Sequence, residues 1–249
     1  LSDGDANIGP SSHGSILELI EDHAGRGITM STVGFGTGNY KDTLMEQLAN
    51  KGDGNYYYID SYDEAKKVFG ADLSGTLQTI AKDAKIQVEF NTTRVRRYRL
   101  IGYENRDIAD KDFRNDAVDA GEVGSGQAAT ALYELELYPS DRPAGDPPAI
   151  GTVYVRYRNA DNDKVEEIAH TIANDAVRET TIAERPRFYL AAAVARFAEL
   201  LRESPHARDG NFDDVSRVVD QVHAELPLDD RIAELRDLVR QANNLDRAP

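Results

Sequence analysis

The first 80 residues alternate short apolar segments with amphipathic stretches, which predicts strands alternating with helices. Residues 28–33 (ITMSTV) are rich in β-branched side chains and nearly uncharged, as expected of a buried parallel strand. Residues 56–59 (YYYI) predict a second strand. The apolar face of the preceding helix comprises Ile16, Leu17, Leu19 and Ile20, and that of the intervening helix Tyr40, Leu44, Met45 and Leu48. This alternation favours an α/β fold with a doubly wound parallel sheet.

Between residues 81 and 172 the hydrophobic period changes to two. Apolar side chains alternate with polar ones in three segments: Ile86, Val88 and Phe90; Tyr133, Leu135 and Leu137; and Val153, Val155 and Tyr157. Such alternation is typical of antiparallel, half-exposed strands. Residues 103–128 are polar and acidic, which predicts a long loop with at most one short strand. We therefore expect residues 81–172 to form an antiparallel, β-sandwich-like domain.

The last part of the chain, residues 173–249, reads as helical. Three amphipathic segments cover residues 188–201, 213–226 and 229–243, and Pro205 and Pro227 separate them. Three short helices with short links predict a small α-helical bundle. The first segment has the widest apolar face, so we expect it to be the most buried of the three.

Charge and composition exclude several classes of function. The 249-residue chain has 29 basic and 44 acidic residues and a net charge of −15. A general nucleic-acid binder needs a basic surface, so we expect no nucleic-acid partner. No apolar run approaches the length of a membrane span. The absence of cysteine excludes disulfides, thiolate zinc sites and cysteine nucleophiles.

No catalytic constellation is evident in the sequence. The five histidines have neither the H-E-x-x-H nor the usual zinc spacing, and G-x-S-x-G and Walker A motifs are missing. A hydrolase is therefore disfavoured, and we expect the chain not to be an enzyme. Four arginines cluster at Arg94, Arg96, Arg97 and Arg99. Their expected partners are the surplus carboxylates, with anion binding as the alternative.

Two short patterns resemble ligand-binding loops but have the wrong context. Gly34-x-Gly36-x-Gly38 lacks the G-x-G-x-x-G spacing of a dinucleotide site, so turn glycines are the better interpretation. Asp72-x-Ser74-x-Thr76 matches a metal-binding D-x-S-x-S/T pattern, yet it continues a helical stretch instead of following a strand. We interpret that match as chance.

Several segments together resemble a known family. Residues 1–9 (LSDGDANIG), 32–40 (TVGFGTGNY) and 54–60 (GNYYYID) resemble the second half of a von Willebrand factor A (vWA) domain. Residues 80–91 (IAKDAKIQVEFN) and 98–106 (YRLIGYENR) resemble the C-terminal region of bacterial YfbK-type vWA proteins. The resemblance implies that residues 1–80 form the C-terminal half of a vWA domain, with residues 81–249 as the family's C-terminal region.

The same resemblance implies a metal-ion-dependent adhesion site (MIDAS). In such domains a D-x-S-x-S loop, a distant Thr and a later Asp bind Mg²⁺ or a similar ion, and an acidic group of the partner completes the coordination. Asp3 alone matches the motif, as its last acidic member. The other ligands would precede Leu1, so we expect Mg²⁺ in the intact parent protein and no metal or other cofactor in this fragment.

The functional prediction is a non-enzymatic protein-interaction or adhesion module. The resemblance implies a protein partner with an acidic group, and a bacterial parent that is extracytoplasmic or surface-anchored. The alternative is a structural scaffold that binds partners through the β and helical regions without metal. Because a vWA domain places its first strand centrally, we also expect an upstream segment or a second chain to complete the parallel sheet.

Overall fold

A computed structural model describes residues 13–35, 42–71, 78–102, 108–138 and 149–246. The helices are α1 (His13–Ala24), α2 (Asp42–Lys51), α3 (Tyr62–Lys66), α4 (Pro186–Leu201), α5 (Phe212–Glu225) and α6 (Asp230–Asp246). The strands are β1 (Thr32–Phe35), β2 (Tyr56–Ile59), β3 (Thr79–Phe90), β4 (Val95–Ile101), β5 (Gly121–Gly124), β6 (Leu132–Leu137), β7 (Gly151–Asn159) and β8 (Val165–Ile172). The fold is mixed α/β: a parallel strand pair precedes antiparallel strands and three C-terminal helices.

The first layer is the parallel pair β1–β2 with its helices. The strands pair in register from Thr32 opposite Tyr56 to Phe35 opposite Ile59. Apolar side chains of the helices form one core cluster, Ile20, Leu44, Met45 and Leu48. A second cluster joins the strands to the segment after α3 and contains Val33, Ile59 and Val68. The predicted order of strands and helices in this layer is therefore confirmed.

The bounds of the first strand differ from the prediction. The sequence pattern places it at residues 28–33, but β1 begins at Thr32, and Ile28 is 58% exposed. The N–H of Met30 donates to the Gly52 carbonyl at 2.7 Å, so residues before Thr32 contact the end of α2 instead of β2. In the part of the chain that the structure describes, β1 pairs only with β2. The apolar pattern of residues 28–31 therefore does not correspond to burial in a sheet.

Gly54 allows the turn between α2 and β2 to approach the backbone before β1. A Cβ atom at this position would overlap the carbonyl group of Met30 and the amide nitrogen of Ser31. Only glycine avoids that overlap without moving one of the two segments. This close approach fixes the spacing at which β2 can pair with β1.

The period-two segments form a four-stranded sheet and a two-stranded ribbon. Strand order in the sheet is β5-β3-β7-β8, and β4 and β6 form the ribbon. The antiparallel β3–β5 pairing shifts register between Ala81 and Ala84, and Asp83 within that shift has a φ of 51°. The short strand β5 lies within the segment that was predicted as a long loop with one short strand. The predicted strand pattern is thus confirmed, and the bulge at Asp83 was not foreseen.

The ribbon β4–β6 is antiparallel and carries an aromatic cluster on one face. Tyr98 lies opposite Leu135, and Leu100 lies opposite Tyr133. The Phe90 ring lies 4.7 Å from that of Tyr98 and 5.2 Å from that of Tyr133, measured between ring centroids. Contacts of this geometry stabilise cross-strand pairing beyond the area that they bury.

The three C-terminal helices pack around one apolar cluster. Ala193 of α4, Val215 and Val219 of α5, and Val239 of α6 are its buried members. The prediction that the first of these helices is the most buried was wrong, because Phe188 on α4 is 54% exposed whereas α5 buries three valines. α4 carries apolar side chains on several of its sides, and only one side can face the cluster. α5 carries them on one narrow face, which packs into the cluster.

The chain divides into two compact units. One comprises residues 1–89, 108–129 and 153–170, and the other comprises residues 90–107, 130–152 and 171–249. The first unit holds the parallel layer and most of the four-stranded sheet, and the second holds the ribbon and the C-terminal helices. The domain boundaries expected from the sequence, at residues 80 and 172, stay a prediction.

Candidate functional site

The edge at which β1 and β2 end is the expected position of the vWA-type site. Because the two strands are parallel, Phe35 and Ile59 end at the same edge of the layer. After β2, the Ser61 side chain accepts a hydrogen bond from the Glu64 N–H at 3.1 Å and caps α3. This cap orients the chain as it leaves the edge.

Asp3, the one residue that the family resemblance assigns to this edge, lies outside the described part. The turn glycines Gly36 and Gly38 and the Asp72-x-Ser74-x-Thr76 segment, interpreted above as a chance match, also lie outside it. Within residues 13–35, 42–71, 78–102, 108–138 and 149–246, no group of three or more His, Asp or Glu could hold a metal ion.

A network of ion pairs covers one face of the four-stranded sheet. Arg156 on β7 donates to Asp116 at 2.8 Å and to Glu167 on β8 at 3.3 Å. Arg114 also donates to Glu167, at 2.7 Å, and Arg158 lies 3.4 Å from Asp83. Basic and acidic groups from the loop at residues 108–118 and from three strands pair with one another, so the network ties this loop to β3, β7 and β8.

The electrostatics of this network favour the charged forms of its carboxyl groups. The hydrogen bond from Arg156 lowers the pKa of Asp116, and the hydrogen bond from Arg114 lowers the pKa of Glu167. Lys85 is 4% exposed, and its Nζ donates to the Asn115 carbonyl at 2.7 Å. A shallow cleft between these charges is lined by Asp83, Lys85, Asp116, Arg156, Tyr157, Arg158 and Val165.

A second charged group in the same unit consists mostly of acidic residues. Glu122 on β5 faces the negative charges of Asp53, Asp119 and Asp83, and burial together with these charges raises its pKa to about 8. A hydrogen bond from the Asp83 backbone acts in the opposite direction. Burial, followed by the charges of Asp119 and Asp83, also raises the pKa of Asp53, which Lys82 partly opposes.

Asp53 precedes β2 and Glu122 lies on β5, so the acidic group has members beside the parallel layer and in the four-stranded sheet. A hydrogen bond of 3.2 Å from the Gln127 side chain to Asn55 Oδ1 joins the same two parts. The loop before β2 and the loop after β5 are therefore held together by a polar contact beside mutually repelling carboxyl groups. The sequence contains no short motif that reveals this arrangement, because its members lie in three separate segments.

The predicted arginine cluster pairs largely with carboxylates, as the sequence analysis favoured. Arg96 contacts Glu136 at 2.5 Å, and Arg99 contacts Glu134 on the neighbouring strand at 2.9 Å. Arg97 also contacts Glu136, at 3.3 Å. The remaining member, Arg94, is only 8% exposed and donates to the Asn174 side chain at 2.6 Å.

One of these pairs reaches into the helical core of the second unit. Arg99 Nη1 donates to Glu199 on α4 at 2.7 Å, and the Glu199 side chain is only 5% exposed. Burial raises the pKa of Glu199, but the hydrogen bond from Arg99 and the charges of Arg99, Arg202 and Arg196 outweigh it, so the net pKa is lowered. Sequence reasoning missed this carboxylate, because it lies within a helix that reads as apolar.

Comparison with known proteins places the chain in a family. Residues 75–245 match the family model described as "Uncharacterized protein YfbK, C-terminal". The chain belongs to the YfbK family. It is 33% identical over 241 residues to the protein "Uncharacterized protein YfbK" of Escherichia coli (strain K12), a match that covers 91% of this chain. The chain spans about 41% of the length of that curated relative. The resemblance to the C-terminal part of a YfbK-type protein is therefore confirmed.

A solved structure also aligns with the chain. The crystal structure of the ArnB paralog VWA2 from Sulfolobus acidocaldarius aligns with a TM-score of 0.39 and 17% sequence identity. The alignment covers 84% of this chain and 50% of the VWA2 chain. A TM-score of this size does not establish a shared fold. In the described residues, no helix is both long and apolar enough to cross a membrane.

Proposed function

We propose that this YfbK-family chain is a non-enzymatic protein-interaction module from a vWA-type protein. The observation that carries the proposal is the parallel pairing of β1 with β2, whose carboxyl ends lie at one edge. In parallel α/β layers, ligands bind beyond this edge. One vWA-like segment, residues 32–40, includes β1, and another lies before it at residues 1–9. The strand pairing and these segments together support the proposal that residues 1–80 form the second half of a doubly wound vWA sheet.

Binding through this edge depends on metal in the intact parent protein. Asp3 would be the last acidic member of a MIDAS whose other ligands come from polypeptide outside this chain. Mg²⁺ takes oxygen ligands and keeps exchangeable waters, so an acidic group of a protein partner can complete its coordination. A single carboxylate does not hold Mg²⁺, so the fragment binds its partner weakly or not at all through this site. The parent is an extracytoplasmic or surface-anchored bacterial protein, which is a proposal from resemblance.

The experiment compares metal binding by this chain and by the longer E. coli relative. Calorimetric titration with Mg²⁺ alone should give no saturable heat with residues 1–249. The relative should bind Mg²⁺, and alanine at its position aligned with Asp3 should weaken that binding, while alanine at the position aligned with Asp5 should have a smaller effect. Tight binding by the fragment, or an unchanged affinity in the Asp3-equivalent variant, would contradict the proposal.

A metal-independent scaffold is the second candidate, and the exposed apolar residues on α4 favour it. Val194 and Leu201, seven positions apart and therefore on the same side of the helix, are 44% and 58% exposed. Exposed apolar groups of this kind are typical of surfaces that contact other proteins. The two candidates differ in their response to chelation. Partner binding by the longer protein that persists in EDTA, and is lost in Val194→Asp with Leu201→Asp, would favour the scaffold.

A further inference from the structure

The four-stranded sheet has two faces of opposite chemistry, and the covered one is charged. On β3, Lys85 donates to Asn115 at 2.7 Å and Gln87 approaches Asp110 at 3.4 Å, so both side chains face the loop at residues 108–118. Phe113 of that loop is 4% exposed and packs near the ring of Tyr154. The loop and the ion-pair network therefore cover part of this face and bury Lys85 and Phe113.

The opposite face is aliphatic, and it is exposed at two positions and half-buried at the others. Because successive side chains of a strand alternate between faces, the residues between the charged ones lie on the other side. They are Ile86 and Val88 on β3, Val153 and Val155 on β7, and Ile168 on β8. We call this set the aliphatic face. None of its five members is buried, and Ile86 and Ile168 are 54% and 55% exposed.

This arrangement reverses the usual one. An antiparallel sheet with alternating side chains normally packs its apolar face and leaves its polar face in water. A hydrogen bond of 2.9 Å between Tyr157 and Glu166 lies on the same side as the aliphatic face and borders it with polar groups. An apolar surface with a polar border is typical of a contact surface.

We propose that the aliphatic face packs against a second layer of β-structure, supplied by the polypeptide that precedes this region in longer members of the family. The E. coli relative has 59% of its length outside the match (100 − 41), and the matching family region is described as C-terminal. Two sheets pack face to face about 10 Å apart when aliphatic side chains interdigitate. The occupant therefore carries an alternating pattern of its own, with Val, Ile or Leu directed at β3, β7 and β8.

Charge argues against a second copy of the chain as the occupant. With a net charge of −15, two copies repel each other at low ionic strength. A preceding segment of the same polypeptide avoids that cost, since the linkage holds it near the face at a high effective concentration. The completed pair of layers would form the β-sandwich-like domain expected from the sequence.

Thiol labelling tests the proposal directly, because the chain contains no cysteine. Ile86→Cys and Ile168→Cys are made singly, with Leu228→Cys as a control at a position that is 94% exposed. A maleimide probe should label all three variants of residues 1–249 at similar rates. Circular dichroism and the melting temperature verify that each variant is folded before labelling.

The same substitutions are then placed at the aligned positions of the full-length E. coli relative, from which any native cysteines have been removed. Labelling at the positions of Ile86 and Ile168 should be at least about tenfold slower than at the control position, because a covered site reacts only when it opens. Equal rates in the long protein would overturn the proposal. Slow labelling in residues 1–249 would also overturn it. A dimeric mass in solution would then show that a second copy covers the face, and a monomeric mass would show that the chain's own residues cover it.

Discussion

The acidic group around Glu122 predicts that removing one negative charge stabilises the protein above neutral pH. Glu122 on β5 faces Asp53, Asp83 and Asp119, and its pKa is raised to about 8 from an ordinary value of 4.5. In the Glu122→Gln variant the side chain keeps a similar shape and stays neutral at every pH. The repulsion that wild-type Glu122 meets when it ionises is therefore absent.

The sign follows from proton linkage. Between pH 4.5 and about 8 the folded protein holds a proton on Glu122 that the unfolded chain has released, so wild-type stability falls as pH rises through this window. The folded and unfolded pKa values differ by 3.5 (8 − 4.5). This difference sets an upper limit of about 5 kcal/mol on the stability that ionisation of Glu122 removes. Glu122 is only half-buried and water screens its neighbours, so we expect a gain of about 1–2 kcal/mol at pH 9.

The assay is urea unfolding at pH 5, 7 and 9, followed by tyrosine fluorescence, since the chain has 12 tyrosines and no tryptophan. The gain in unfolding free energy of Glu122→Gln should be smallest at pH 5 and largest at pH 9. In a parallel thermal melt at pH 9, the same gain should raise the melting temperature by about 2–4 °C per kcal/mol. Glu18→Gln on α1 is the matched control, because it makes the same charge change at an exposed position in the same unit. A gain that is independent of pH, or an equal gain in the control, would refute the reasoning.

Three further predictions concern core packing, ion pairing and the close backbone approach, and each is measured by urea unfolding. Ile232→Ala should cost about 2–5 kcal/mol because this α6 side chain is 1% exposed, whereas Leu238→Ala on the same helix, at 50% exposure, should cost less than about 1 kcal/mol. Glu199→Gln, which breaks the buried pair with Arg99, should lower the free energy of unfolding by about 2–3 kcal/mol. Glu134→Gln removes an exposed partner of the same arginine and should lower it by about 0–1 kcal/mol. A larger loss in Glu134→Gln would contradict the importance of the buried pair. Gly54→Ala should cost about 1–3 kcal/mol or more, with amide exchange accelerating in β1 and β2, since its Cβ overlaps the backbone before β1.

Much of the secondary structure could be predicted because it depends on local pattern. The alternation of Val153, Val155 and Tyr157 with polar residues is sufficient to indicate a strand, and β7 covers them all. The Ser61–Glu64 spacing is typical of a helix start, and the Glu64 N–H does donate to the Ser61 side chain. These features rest on contacts between residues a few positions apart, so the order of residues alone determines them.

The candidate site was less predictable. Arginines in a strand of an acidic protein indicate carboxylate partners, yet nothing in the sequence singles out Glu199, which pairs with Arg99 across about 100 positions. The same limit applies to Glu122, because its raised pKa comes first from burial and then from three aspartates in separate segments. Asp3, the residue carried by the family resemblance, lies outside the described residues, so its role stays a proposal.

The sequence by itself determined most of the segments that become strands and helices, the family resemblance, and the surplus of negative charge. Tertiary structure alone decided which face of each element is buried. A period-two pattern states that a strand has an apolar and a polar face, but the loop at residues 108–118 covers the polar one and buries Lys85, leaving Ile86 and Ile168 in water. The physical reason is that burial depends on what packs against a face, and those neighbours come from distant parts of the chain, or from beyond it.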